Sequence, residues 1–154
     1  MKLSGVEVHA KYRKEEVILR DDTEFVFKLE AVGDYDSFEE KYPRPQPPTI
    51  NRKGVESPDL EDEDYKELVS EWAGWRINWM CVQTFQDVEW KTVTNEPETF
   101  ENWETELGEA GFSYNEVGRL RNAILTVNGL MEPERIEAAR ENSSVGQEAE
   151  PAGV

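Results

Sequence analysis

Few side chains in this sequence have the types and the spacing that enzymatic chemistry requires. The single histidine, His9, lies in a predicted N-terminal strand, and no recognised motif places a Ser, Cys or Asp beside it for a nucleophile–base pair. The single cysteine, Cys81, lies in a tryptophan-rich stretch of helical periodicity, which favours a buried, inert thiol. One Cys and one His are too few ligands for a zinc site. We therefore predict no metal, no cofactor and no enzymatic activity.

The acidic run Asp59–Asp64 invites comparison with a calcium-binding loop, but its composition argues against one. An EF-hand loop needs a central glycine and a bidentate glutamate at its end, whereas this stretch has no glycine and continues into Lys66. Negative charge at a helix N-terminus is the better interpretation. Because 34 acidic residues always offer carboxylate pairs, a small carboxylate-based hydrolase is kept only as a distant alternative.

The net charge narrows the classes of partner. The chain of 154 residues has 17 basic and 34 acidic side chains, a net charge of −17, which excludes the usual nucleic-acid binder and disfavours anionic lipid surfaces. Residues 1–54 carry a net charge of −1 and residues 55–154 carry −16. No apolar run has the length of a signal peptide or of a spanning helix, so we expect a cytoplasmic protein.

The first part of the chain, residues 1–35, has the pattern of β-structure. Glu16–Arg20 and Glu24–Val32 are rich in β-branched and aromatic residues, and Asp21–Thr23 forms a polar turn between them. We predict a β-hairpin or small antiparallel sheet here, with an earlier strand around residues 6–8.

Residues 36–58 are predicted to be a strap that joins the β part to a helical part. Asp36–Tyr42 fits a short helix, which must end before Pro43 because the residue that precedes a proline avoids the α region. Four prolines in Pro43–Pro48 favour an extended polyproline II segment. A stiff connection is the simpler interpretation, and a ligand for an SH3-type domain is the alternative.

Residues 59–140 are predicted to be helical. A long helix is expected over Leu60–Gln83, capped by Asp59 or Ser57. Arg76 interrupts its apolar stripe, so its side chain must reach the surface or pair with a carboxylate.

Three further helices follow in the prediction. The first covers Phe100–Ala110; the second begins at the capping box Ser113–Glu116 and ends at Asn128–Gly129; the third starts near Pro133. Residues 141–154 have the composition of a disordered tail.

The sequence thus predicts one α+β domain over residues 1–140, with a small helical bundle of three to four helices around the long helix. Apolar residues at 3.6-residue spacing supply the predicted core. These core residues are Tyr65, Leu68, Trp79, Met80, Trp103, Leu107, Leu120 and Ile124.

The tryptophans of the long helix support two interpretations. They can form the aromatic core of the bundle, or they can line an apolar groove for a partner helix with carboxylates along its edge. For the groove, Trp72 and Trp75 are the candidate binding residues, and Glu67 and Glu71 are the candidate rim.

Several segments follow one another within residues 25–140: Phe38–Pro48, Asp59–Tyr65, Arg76–Met80, Trp90–Val93, Trp103–Phe112 and Asn128–Leu130. Their order and spacing resemble the tail assembly chaperones of long-tailed bacteriophages, which are encoded among the tail genes.

The resemblance implies a protein that binds the tape measure protein and keeps it soluble while the tail tube polymerises around it. The major tail protein and a second copy of the chain are further candidate partners, and nucleic acid and membranes are not. The expected location is the cytoplasm of the infected host. A structural component of the tail or head–tail junction, present in the virion, is the alternative.

Overall fold

The computed structural model describes residues 1–20 and 25–131, and it confirms the α+β class. Small antiparallel two-stranded sheets dominate the N-terminal part and helices dominate the rest. The strands are β1 (Lys2–Leu3), β2 (Val6–Glu7), β3 (Lys14–Ile18), β4 (Val26–Glu30), β5 (Thr49–Arg52) and β6 (Val55–Pro58). The helices are α1 (Asp36–Lys41), α2 (Glu63–Thr84), α3 (Asn102–Glu109) and α4 (Tyr114–Val127), with a 3-10 turn at Pro97–Thr99.

The predicted hairpin is confirmed as β3 and β4, which pair antiparallel with Val17 opposite Phe27. Its alternation places Phe27 and Leu29 on the buried face, at 9% and 1% exposure. The predicted turn lies outside the described residues. The earlier strand is confirmed as β2, and Val6 pairs with Leu3 in a separate hairpin of β1 and β2.

The predicted strap is shorter than expected. Helix α1 is confirmed, and Pro43–Pro48 has no regular secondary structure, but a third hairpin of β5 and β6 follows instead of more extended chain. Lys53 and Gly54 have positive φ angles of 55° and 81°, as a two-residue type I′ turn requires. The side chain of Asn51 accepts a hydrogen bond from Gly54 N at 2.9 Å and fixes this turn.

Helix α2 begins three residues later than predicted, because Asp62 rather than Asp59 or Ser57 caps it. The Asp62 carboxylate accepts a hydrogen bond from Tyr65 N at 2.9 Å. The carboxylate of Asp59 instead accepts from Glu61 N, which holds a turn ahead of the helix.

The sequence signals predicted for the start and the end of α4 are confirmed. Ser113 and Glu116 exchange both hydrogen bonds of a capping box, and Gly129 ends the helix with φ 76°. Helix α3 starts at Asn102 rather than Phe100, because the 3-10 turn occupies the preceding residues. The predicted helix near Pro133 and the predicted tail lie outside the described residues.

The core lies between the β3–β4 hairpin, the C-terminal half of α2, α3 and α4. Five predicted core residues are confirmed as buried: Met80, Trp103, Leu107, Leu120 and Ile124. Trp79 is half-buried against this core, and Tyr65 is half-buried nearer the start of α2.

Leu68 was wrongly predicted as a core residue, since it is 52% exposed. The buried residues of α2 are Met80, Cys81 and Thr84, all in its last turns. The rest of the fold packs around that end, so the apolar stripe near the helix start has less to pack against.

Asn128 links three elements at the end of α4. Its amide group donates to the Thr84 hydroxyl at 2.9 Å, and its carbonyl oxygen accepts from Val32 N at 2.9 Å. Thr84 is fully buried and also donates to Met80 O, so this polar group is satisfied.

Candidate partner-binding clefts

Trp72, a predicted groove residue, is half-buried and contacts α1 and the residue that follows it. Its indole Nε1–H donates a hydrogen bond to Tyr42 O at 2.7 Å, and its ring packs on Phe38 with centroids 5.8 Å apart. The Arg44 guanidinium lies 5.9 Å from the centroid of the Trp72 ring. Helix α1 and the residues after it therefore cover Trp72.

Trp75 and Glu71 do border a cleft, of about 290 Å³. Glu98 and Glu101 also line this cleft and make it acidic. Trp75 is half-buried, and its ring lies edge-on to the Tyr42 ring with centroids 6.4 Å apart. Glu67 is exposed and does not line this cleft. The structure thus brings together two of the four predicted binding residues, in a cleft that is more polar than predicted.

A larger and more apolar cleft, of about 400 Å³, lies between the start of β4, the loop after α2 and the end of α3. We call it the aromatic cleft. Its apolar lining is Phe25, Phe27, Val88, Trp90, Leu107, Ala110 and Phe112, and its charged lining is Glu89, Lys91, Glu106 and Glu109.

Edge-to-face ring contacts hold the lining of the aromatic cleft in place. Phe112 meets Phe25 at 5.6 Å and Phe27 at 5.4 Å between centroids. Phe85 meets Phe27 at 6.0 Å and Trp90 at 5.2 Å. Because aromatic pairs favour such geometry, the hairpin, the loop and the end of α3 are fixed relative to one another.

The aromatic cleft has a buried floor and an open edge. Leu107 is 4% exposed and Phe27 is 9% exposed, whereas Phe25 is 51% exposed. An exposed aromatic ring beside further apolar side chains is a feature of protein-binding surfaces.

The carboxylate of Glu106 is held rigidly at the rim. It accepts hydrogen bonds from Lys91 N at 2.6 Å, Thr92 N at 2.9 Å and the Thr92 hydroxyl at 2.7 Å. Desolvation raises the pKa of Glu106, but these hydrogen bonds outweigh it and the net pKa is lowered. The rim therefore stays negatively charged at neutral pH, with the exposed side chains of Glu89 and Glu109 beside it.

Arg20 contacts the ring of Phe112, the backbone of Gly111 and the side chain of Glu116. Its guanidinium donates two hydrogen bonds of 2.9 Å to Glu116 and one of 3.0 Å to Gly111 O, and lies 5.4 Å from the Phe112 ring centroid. The hydrogen bonds from Arg20, with help from Ser113 N, lower the pKa of Glu116 to about 2. This bidentate pair joins the β3–β4 hairpin to the start of α4.

The sequence also drew attention to His9, Cys81 and Arg76. His9 is exposed between two strands, and Cys81 is 5% exposed, with desolvation raising the pKa of its thiol to about 12. Arg76 forms an ion pair with Glu39 at 3.5 Å and lies 4.1 Å from the Tyr35 ring centroid, but its buried Nε–H has no hydrogen-bond partner among the described residues. Among residues 1–20 and 25–131, no group of three or more His, Cys, Asp or Glu side chains could hold a metal ion.

Sequence reasoning missed the aromatic cleft. Phe25 and Phe27 alternate along a predicted strand, whereas Trp90 and Phe112 lie far away in the sequence. The fold brings these side chains to one cleft, and a bridge between Leu29 and Phe85 joins the hairpin to the end of α2 nearby.

Across the described ranges, no helix has both the length and the apolar character needed to cross a membrane. The chain matches no protein-family model, no curated protein and no solved structure in the comparisons made.

Proposed function

We propose that this protein is a phage tail assembly chaperone that binds the tape measure protein and keeps it soluble while the tail tube assembles. The observation that carries the proposal is the aromatic cleft, an open apolar surface with a fixed carboxylate rim. The order and spacing of segments that resemble this family add support.

The dimensions of the aromatic cleft suit large apolar side chains of a partner. A volume of about 400 Å³ lies within the usual range for binding pockets, ~300–1,000 Å³. An amphipathic helix inserts such side chains at i, i+3 and i+4 spacing into an apolar groove. Glu89, Glu106 and Glu109 would then favour a helix whose flanking positions carry Lys or Arg.

The charge of the helical part suits a solubilising role. Residues 59–131 contain 16 acidic and 5 basic side chains, a net charge of −11. Covering the apolar stripe of an aggregation-prone chain while adding negative charge increases its solubility.

A structural role in the virion is the second candidate, and the exposed hairpins favour it. Residues 1–7 are all exposed, and most of the residues of β5 and β6 are exposed as well. Hairpins of this kind present unpaired strand edges to neighbouring subunits. Such a protein would remain in the finished particle, with the major tail protein as one candidate neighbour.

Co-expression with the tape measure protein tests the proposal. We expect the tape measure protein to be soluble and to co-purify with the wild-type chain and with Tyr114→Ala, which removes an aromatic ring that is 84% exposed outside the cleft. Phe25→Ala should lose at least about tenfold in retained partner, because an exposed aromatic ring that becomes buried in an interface is a typical hot spot. Absence of co-purification, together with the chain being found by mass spectrometry in purified virions, would support the structural role instead.

A further inference from the structure

The cleft beside Trp75, which we call the acidic cleft, is lined by three carboxylates and, within the described residues, by no cation. Glu71 comes from α2, and Glu98 and Glu101 come from the 3-10 turn and the residue before α3. All three are exposed, and none has an ion-pair partner in the described part of the chain. The acidic cleft therefore holds three uncompensated negative charges around one indole ring.

Gly74 leaves space in this cleft at a cost to α2. A methyl group at Gly74 would meet no neighbouring element of the described chain within 4 Å, so internal packing does not require a glycine there. Glycine is also among the least favourable residues in the interior of a helix. A glycine in the middle of α2 that lines a cleft therefore leaves room for a side chain from outside.

The tip of the β5–β6 hairpin has the opposite charge. Arg52 and Lys53 are adjacent and exposed, and neither forms an ion pair with another described residue. Arg52 lies opposite Val55, which is 65% exposed, so a cation and an apolar side chain share one face of the hairpin. Glu56 lies opposite Asn51 and belongs to the other face.

The β1–β2 and β3–β4 hairpins have no such tip. Every lysine in their strands lies opposite a glutamate: Lys2 opposite Glu7, Lys14 opposite Glu30 and Lys28 opposite Glu16. Those charges are compensated within the hairpin, whereas Arg52 and Lys53 can meet carboxylates of another molecule.

We propose that the tip of the β5–β6 hairpin of one copy docks in the acidic cleft of a second copy. The guanidinium of Arg52 would stack on the Trp75 ring and pair with a carboxylate, since arginine combines both contacts at interfaces. Lys53 would approach the remaining carboxylates, and Val55 would pack beside the indole. With a volume of about 290 Å³, the cleft has room for a few side chains and suits a hairpin tip rather than a whole helix.

The inference does not rest on the proposed function. The tape measure protein is proposed to bind the aromatic cleft, which shares no lining residue with the acidic cleft. Trp75 and Glu71, which the sequence suggested as partner-binding residues, would serve self-association instead.

Sedimentation velocity of the full chain over a concentration series measures this association. Copies with a net charge of −17 repel one another, so the series is run at about 0.15 M salt, where the Debye length is ~8 Å and close contacts dominate. A hairpin tip buries less than the ~1,200 Å² of a standard interface, so we expect a Kd on the order of 100 μM. A wild type that stays monomeric at about 1 mM would overturn the proposal.

Charge reversal on each surface gives the sharpest test. Arg52→Glu/Lys53→Glu should be monomeric, because its tip and its cleft are both negative, and Glu71→Lys/Glu98→Lys should be monomeric because both are positive. An equimolar mixture of the two should associate again, since each tip then finds a cleft of opposite charge on the other variant. A mixture that stays monomeric would contradict the proposed contact.

Lys2→Glu/Lys11→Glu is the control for net charge. It changes the charge by the same amount as Arg52→Glu/Lys53→Glu, at exposed lysines away from the tip, and should associate as the wild type does. Loss of association in this control would overturn the role of the tip. The Arg52→Glu/Lys53→Glu chain should still retain the tape measure protein, so self-association and the proposed function can fail separately.

Gly74→Ala tests the acidic cleft without changing any charge. It should raise the melting temperature, since alanine suits a helix better than glycine, yet weaken association at least about threefold by filling the cleft. Gly108→Ala in α3 is the matched control, because a methyl group there also meets no neighbour within 4 Å and Gly108 lines neither cleft. It should raise the melting temperature and leave association unchanged. Equal association of Gly74→Ala and wild type would overturn the proposal.

Discussion

The indole Nε1–H of Trp72 donates a hydrogen bond to the backbone carbonyl of Tyr42 at 2.7 Å. This bond ties the middle of α2 to the end of α1, with the fully buried ring of Phe38 between them. Trp72 thus packs against α1 at a position where the sequence suggested a groove.

Substitutions of Trp72 should therefore affect stability. Trp72→Phe keeps a ring but leaves the Tyr42 carbonyl without its indole donor, at a cost of about 1 kcal/mol in the free energy of unfolding. Trp72→Ala should cost about 3 kcal/mol. Chemical denaturation measures both; unchanged stability combined with lost partner binding would reinstate Trp72 as a binding residue.

Trp103 and Trp79 should differ in their contributions to the core. Trp103 is 1% exposed and its indole donates to the Asn78 side chain at 3.1 Å, whereas Trp79 is half-buried against Tyr35 and Phe38. We expect Trp103→Ala to cost about 4–5 kcal/mol and Trp79→Ala about 3 kcal/mol. The reverse order in urea denaturation would contradict the assignment of the core.

The pair of Arg20 and Glu116 should make stability depend on pH in the acid range. The pKa of Glu116 is about 2 in the folded protein against 4.5 ordinarily, so the unfolded state binds more protons between these values. The stabilisation is complete above pH 4.5 and is lost as the pH falls towards 2.

Glu116→Gln removes the charge that pairs with Arg20 but keeps a side chain that can still accept the hydrogen bond of the capping box. It therefore isolates the contribution of the ion pair. It should be less stable than wild type at pH 7, and the difference should shrink as the pH falls from about 4.5 to about 2. Glu109→Gln, which makes the same change at an exposed carboxylate of α3, is the matched control for the substitution. A difference that stays constant with pH would argue against the ion pair.

The thiol of Cys81 should be unreactive while the protein is folded. It is 5% exposed and desolvation raises its pKa to about 12, so little thiolate exists at pH 8. A thiol reagent such as DTNB should react slowly with the native protein and rapidly in denaturant. Rapid stoichiometric reaction without denaturant would show that the C-terminal half of α2 is accessible.

Elements with local signals were predictable. The capping box of Ser113 and Glu116 determines where helix α4 starts, and Asn128–Gly129 determines where it ends. Each of these signals acts within a few residues of the sequence. The β3–β4 hairpin was predictable for a similar reason, since its alternation fixes which face is buried.

Features that depend on contacts between distant segments were not predictable. Periodicity identified Leu68 as apolar and helical, but it carries no information on whether another element covers that position. The β5–β6 hairpin was missed for a local reason, because its turn begins at Lys53, a residue type that seldom adopts positive φ, and the hairpin follows the proline-rich segment Pro43–Pro48. The aromatic cleft combines three segments around residues 25–27, 88–91 and 106–112, which only the tertiary fold brings together.

The central claim is that the aromatic cleft binds the tape measure protein. Fluorescence anisotropy with overlapping labelled peptides of the proposed partner, a tape measure protein, measures this directly. At least one peptide should bind the wild type, with an affinity that falls as salt rises. Its Kd should increase at least about tenfold for Phe25→Ala and stay unchanged for Tyr114→Ala. Binding of no peptide, or equal binding by Phe25→Ala and wild type, would contradict the claim.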